Sequence, residues 1–169
     1  SDVYKRQAQE SYLLLSRYDG DLQEGLVELI DLRNFEVMHT WNPDIDAFND
    51  LVEQVDEFKY LDRDASNSRK ILKHPKLTKD GGLLFKRSSP LRKIDKCSNL
   101  IFQNTIDIFH HTIEIDSEGN IWVATDGGGV FKYDGENMEH FDVEDGLASS
   151  EAFDIYIDDY DKVWVGTFG

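Results

Sequence analysis

The stretch Ile113-Glu-Ile-Asp-Ser-Glu-Gly-Asn-Ile-Trp-Val-Ala-Thr125 recurs 42 residues later as Ile155-Tyr-Ile-Asp-Asp-Tyr-Asp-Lys-Val-Trp-Val-Gly-Thr167. Ile113, Ile115, Asp116, Trp122, Val123 and Thr125 each meet an identical residue in the second copy. Between the copies, short apolar runs alternate with Asp/Gly/Asn clusters. The runs are 113–116, 121–125, 130–133 and 138–141, and the turns fall at 117–120, 126–129 and 134–137. Runs this short, bounded by turn-formers, are hairpin signals. Four strands in a period of about 40 to 45 residues make one blade of a β-propeller.

Outward from that blade the pattern continues more weakly. Leu26–Ile30 and Val37–Trp41 predict a hairpin, and 83–85, 91–95 and 100–103 suggest strands of another blade. Residues 46–61 break the rhythm. Phe48, Leu51, Val52, Val55, Phe58 and Leu61 fall at helical spacing after Pro43 and a capping Asp44 or Asp46, which predicts one inserted amphipathic helix. The charged stretch 62–73 reads as loop. The expected fold is all-β, an incomplete β-propeller of about three blades of four-stranded antiparallel sheet with one helical insertion. A closed propeller needs about four to eight blades, more than this length supplies.

Composition narrows the function. The 169 residues carry 34 acidic and 18 basic side chains, a formal charge of −16. Residues 1–111 hold 19 acidic against 16 basic groups, whereas 112–169 hold 15 against 2, so nearly all the negative charge lies in the last third. No basic stripe appears, so nucleic acid is not an expected partner. No apolar run is long enough for a transmembrane helix. The single cysteine, Cys97, allows no intrachain disulfide, and no Cys/His spacing suits zinc. Gly127-Gly-Gly129 lies between strands, without the helix a phosphate loop needs. The Asp-rich segments 116–120 and 158–161 lack the spacing of a calcium loop, with Gly127 where its last ligand would stand. No metal or cofactor is expected.

Two families are resembled. Residues 12 to about 125 resemble the bacterial arylsulfotransferases through Val27-Glu-Leu-Ile-Asp-Leu, Val37-Met-His-Thr-Trp-Asn-Pro43, His74-Pro75 leading to Asp80-Gly-Gly-Leu-Leu-Phe85, Ser89-Pro-Leu-Arg-Lys-Ile-Asp95 and Phe109-His-His-Thr-Ile-Glu-Ile-Asp116. From about 113 to 169 the chain is similar to the regulator-propeller repeats of two-component sensors, through 119–125, Gly128-Gly-Val-Phe-Lys-Tyr-Asp-Gly135, Asp145-Gly-Leu147 and Val163-Trp-Val-Gly-Thr167. The two overlap at 116–125, where the charge balance also changes. A natural hybrid and a joining of two genes at the shared repeat both fit, and sequencing one DNA molecule across codons 105–130 separates them. Residues 1–7 read like a translated sequencing adapter and are expected to be a cloning or assembly scar. The expected organisation is then 8–112 arylsulfotransferase-like with its helical insertion, and 113–169 regulator-propeller-like and cut within a blade.

The first resemblance implies sulfuryl transfer between a phenolic sulfate donor and a phenol acceptor through a covalent histidine intermediate, without a nucleotide or other cofactor. Such chemistry needs a neutral imidazole and cationic donors around the sulfuryl oxygens. The matching substrate-binding residues are His110, His111 and His74. Neighbouring strand residues point to opposite faces, so one of His110 and His111 reaches a central pocket, and His111 is favoured. No nucleophile is assigned, and the fragment itself is expected to be inactive. Arg92 and Lys93 are weaker anion contacts that read as solvated, and His39 and His140 read as structural. Trp122 and Trp164, recurring with the blade, read as packing residues. The second resemblance implies a non-catalytic ligand-sensing propeller signalling through a kinase domain. Both imply a periplasmic location.

Overall fold

The computed structural model describes residues 11–53, 60–69, 71–86, 90–105 and 111–168. Residues 1–7, with the adapter-like stretch, and His110 lie outside them.

Four antiparallel sheets follow one another along the chain. The first is β1 (Tyr12–Asp19), β2 (Glu24–Asp31) and β3 (Glu36–Trp41), and the second is β4 (Lys73–Leu77), β5 (Leu83–Lys86), β6 (Leu91–Ile94) and β7 (Leu100–Asn104). The third is β8 (Ile113–Ile115), β9 (Ile121–Ala124), β10 (Val130–Tyr133) and β11 (Met138–Phe141), and the fourth is β12 (Ala152–Ile157) with β13 (Val163–Thr167). Within each sheet the strands lie in chain order. β1 lies against β4, β4 against β8, and β12 against β8 and β9. The first strands of the second, third and fourth sheets, β4, β8 and β12, therefore lie innermost, as in propeller blades arranged around an axis, whereas β1 meets the approach to β4 antiparallel, with Ser16 bonded to Leu72 and Tyr18 to Ser68. The fold is the expected incomplete propeller, with blades of three, four, four and two strands.

The repeat is exact in register. Ile113 pairs with Val123 and Ile115 with Ile121, and 42 residues on Ile155 pairs with Val165 and Ile157 with Val163. The carboxylate of Asp116 explains why the motif holds. It accepts from the backbone N–H of Glu118 (3.1 Å) and Asn120 (2.8 Å) and from the Trp122 indole (3.0 Å). Asp158 does the same for Tyr160, Lys162 and Trp164, at 2.9, 3.0 and 3.0 Å. The fourth residue of each turn has a left-handed backbone, φ 97° at Gly119 and 56° at Asp161. The same turn closes β4–β5, with φ 80° at Gly81, and β6–β7, with φ 68° at Ser98. Asp116, Asp134 and Asp158 of the last third, like Asp95 before them, are thus engaged by their own turns, which hold all four below the usual carboxylate range. Side-chain hydrogen bonds lead at Asp95 and Asp158 and backbone N–H bonds at Asp134, while at Asp116 these bonds outweigh a larger burial effect that opposes them.

The core lies between blades. Val27, Trp41, Leu83, Phe85 and Ile94 fill the space between the first two, and Leu84, Leu91, Ile113, Val123 and Phe131 that between the second and third. Ala124, Val130, Ala152 and Ile155 lie between the third and fourth. Trp122 packs there and stacks on Phe141 at 5.7 Å, as expected of a blade residue, but its repeat Trp164 is 59% exposed. Nothing among the described residues covers Trp164 as the fourth blade covers Trp122.

The helix is shorter than its periodicity predicts. It spans α1 (Ile45–Asn49), capped by Asp44 accepting from Ala47 N–H, and the chain leaves it at Asp50. Leu51, expected on the buried face, is exposed, and residues 54–59, with Val55 and Phe58, lie outside the described residues. A tertiary bond wins at the break: the Asn49 amide oxygen accepts from the buried guanidinium of Arg92 at 2.8 Å, and Asn and Asp are weak helix formers. A second short helix, α2 (Leu61–Asp64), begins at the end of the predicted helix and runs into what reads as loop, and β4 begins at that loop's last residue, Lys73. β1, which adds a third strand to the predicted 26–41 hairpin, also went unpredicted.

Candidate functional site

Because the inner strands all run the same way, their first residues gather at one end of the axis. That end receives Lys73 and His74 from β4, His111 and Thr112 before β8, and Phe153 and Asp154 from β12. The last residue of β5, Lys86, arrives there opposite Lys73. The other end carries the turns 78–82, 116–120 and 158–162, chained from blade to blade by Lys79 Nζ to Ser117 O (2.9 Å) and Ser117 N to Asp161 Oδ1 (3.0 Å).

His74 sits on the innermost strand with φ 48°, inside an irregularity of the β4–β5 ladder. Burial lowers its proton affinity, and the positive charges of Lys86, Lys73 and Lys76 lower it further, against a weaker opposing pull from Asp154. Its imidazole is therefore held neutral near pH 7. Lys86 is fully buried, and among the described residues no hydrogen-bond acceptor meets its amine. Alternation along β5 puts it on the face of Leu84, toward the third blade. Desolvation first, and then Lys73, lower its pKa from 10.5 to about 7. Asp154 accepts from the Thr112 hydroxyl at 2.6 Å, and the His111 ring meets Phe153 edge-on at 4.6 Å. Phe153 in turn meets Phe168 at 6.1 Å.

The structure thus brings His74 and His111, both expected from the sequence, to the same end of neighbouring inner strands. It adds Lys73, Lys86, Thr112 and Asp154, which sequence reasoning missed. Lys86 was legible in principle: in Leu83-Leu84-Phe85-Lys86 a period of two places its side chain with Leu84, inside. Arg92 is a correction. It is not solvated but fully buried, bonded to Gln103 Oε1 (3.1 Å) and Asn49 Oδ1 (2.8 Å), and so locks α1 onto the second blade. Lys93 pairs with Asp80 at 2.8 Å. His39 bonds Lys96 O (2.8 Å) and His140 bonds Gly128 O (2.6 Å), both structural contacts.

A cavity of about 410 Å³ lies at the opposite end, between the turns of the second and third blades, lined by Leu77, Lys79, Asp80, Lys93, Ile115 and Asp116. Neither His74 nor His111 lines it, while Lys93, the weaker anion candidate, does. Its lysines are engaged with Asp80 and Ser117, which leaves it little free polar chemistry. Among the described residues no group of three or more His, Cys, Asp or Glu side chains is placed to hold a metal.

A family model described as two component regulator propeller matches residues 104–127. The match spans the β8–β9 hairpin, where the repeat is clearest, and the chain is similar to that repeat over this stretch. The arylsulfotransferase resemblance has no counterpart in it. No curated protein matches the chain. Among the described residues no helix is long and apolar enough to cross a membrane.

Proposed function

We propose that the chain is part of a ligand-binding propeller module, with the ligand seated at the end of the axis where the inner strands begin. The observation that carries this reading is the placement of Lys73 and the buried, acceptor-less Lys86 beside His74 in a chain of charge −16, the third lysine there, Lys76, being paired with Glu114 of β8 at 2.6 Å. Cations gathered against the prevailing charge, on the strands nearest an axis, are a local recognition device rather than a general field. The likeness to a regulator-propeller repeat supports a sensing role, in which binding outside the cytoplasmic membrane is relayed to a kinase domain of the parent protein. Two-dimensional NMR of the chain with a panel of small ligands tests this: shifts concentrated at His74, His111 and Thr112 are expected. Ligands that perturb only the opposite turns refute it.

One observation favours sulfuryl transfer as a second reading, the neutral imidazole of His74 beside lysine donors. Here His74 and His111, with His110 next in the chain, bind the sulfate of a phenolic donor, and the parent protein passes the sulfuryl group to a phenol acceptor in the periplasm. The sulfur–oxygen bond to the donor phenolate breaks as a histidine nitrogen takes the sulfuryl group, and the acceptor phenol then displaces the histidine while losing its proton. Release of nitrophenol from nitrophenyl sulfate by the intact parent, dependent on an added phenol, tests this; no such turnover sinks it.

A further inference from the structure

Lys86 is the least explained side chain in the molecule. A buried amine without an acceptor costs stability, and interiors ordinarily supply a carboxylate or carbonyl partner. Here none comes. Across the ladder on β4 stand Lys73, His74 and Lys76, all cationic or basic. The β6 partner of Lys86 is the apolar Leu91. The third blade offers Ile113 and Val123 on the facing side, with His111 just before β8. Among the described residues the carboxylates nearby are already engaged: Asp154 of β12 accepts from Thr112, and Glu114 of β8 pairs with Lys76 at 2.6 Å.

We propose that this end of the propeller is an oxyanion site, taking a sulfate, phosphate or carboxylate group, with Lys86 as its buried cation and Lys73 and His74 as its rim. The inference rests on the reading that a ligand binds at this end and names its chemistry. An oxyanion supplies the acceptor that the protein withholds from Lys86, and it neutralises the mutual repulsion of Lys73 and Lys86. The flexible lysine stem lets the amine meet an anion at the rim without movement of β5. An anion favours the ammonium form, so binding takes up a proton wherever the free site holds Lys86 neutral. Free sulfate and a sulfate ester share this chemistry; Phe153 and Phe168, beside His111, provide a further contact for an aromatic ester alone.

Isothermal titration calorimetry of the chain with sodium sulfate, sodium acetate and nitrophenyl sulfate, at several pH values and in buffers of different ionisation heat, tests the proposal. Saturable binding is expected to weaken roughly tenfold per pH unit above 7, with about one proton taken up. Tighter binding of nitrophenyl sulfate than of free sulfate identifies the ester as the source of the anion. Lys86→Met is expected to lose at least about tenfold in affinity together with its proton uptake, whereas Lys73→Met weakens binding and keeps the uptake. Unchanged affinity and pH profile in Lys86→Met overturns the proposal, as does the absence of saturable binding for all three anions. A neutral ligand that shifts the His74 and His111 resonances while no anion binds leaves the ligand-site reading standing and removes only the oxyanion. If no ligand of any class perturbs these residues, both fall.

Discussion

Replacing Lys86 by methionine should make the protein more stable, by an amount that depends on pH. The amine is wholly buried, and its pKa falls from 10.5 to about 7, mainly by desolvation. Between pH 7 and 10.5 the unfolded chain holds a proton on this lysine and the folded chain does not, so unfolding takes up a proton and stability rises as pH rises. Below pH 7 both states are protonated and the fold carries the whole penalty. At about 1.4 kcal/mol per pH unit, the gap amounts to roughly 5 kcal/mol. Methionine keeps an unbranched stem in the same space and removes the charge. Lys86→Met should therefore gain up to roughly 5 kcal/mol at pH 6, and less than about 1 kcal/mol at pH 10. Urea titrations between pH 6 and 10, followed by the fluorescence of Trp41, Trp122 and Trp164, measure the difference directly. Parallel pH profiles for the two proteins, or a methionine variant less stable at pH 6, would refute the reasoning.

Other expectations follow from the turns. Asp116→Ala strips acceptors from two backbone N–H groups and the partly buried Trp122 indole and should cost about 2 to 3 kcal/mol, whereas Asp158→Ala, whose tryptophan is exposed, should cost about 1, both read by urea unfolding. At Gly129, with φ 73°, an added Cβ would stand 2.2 Å from the Phe141 carbonyl oxygen; Gly129→Ala should cost at least about 2 kcal/mol, and Gly119→Ala, which meets open space, nearer 1. The carboxylates of Asp95, Asp134 and Asp158 have their proton affinity lowered by the fold, that of Asp134 to about 2, so their stabilisation is complete above their unfolded values and lost as pH falls through the folded ones. Circular dichroism melts should show Tm falling gently from about pH 6.5, as the unfolded chain protonates His74 ahead of the folded one, and steeply below about pH 4.

The third blade was legible almost residue for residue because its information is local. Each strand is short, each turn is closed by a residue at its own start, Asp116, Thr125 or Asp134, and the repeat supplies a second reading of the same hairpin. Where the sequence misled, a distant contact decided. The periodicity over 46–61 is real, yet Asn49 gives its side chain to Arg92, 43 residues away, and α1 stops there. β1 lacks clean alternation because Leu13, Leu14 and Leu15 run together, and its strand identity comes from pairing with β2 rather than from its own pattern. His74 and His111 could be picked out as residue types suited to chemistry. Lys86 was harder to see: the period of two places it with Leu84, yet a lysine after three apolar residues also reads as the solvated end of a strand until the third blade covers it.

Every ladder in this molecule joins strands adjacent in sequence. The contacts that build each blade therefore span a few tens of residues at most, and only the blade-to-blade cores require distant parts of the chain to meet. Such a chain has low contact order within its units and should acquire each sheet quickly and on its own, the slower step being the docking of one finished sheet on the next. The same partition governs how structure is lost. Opening should proceed by peeling whole blades, so amide exchange should distinguish a long-lived group in β5, β6, β9 and β10, clamped on both faces, from a short-lived one in β12 and β13.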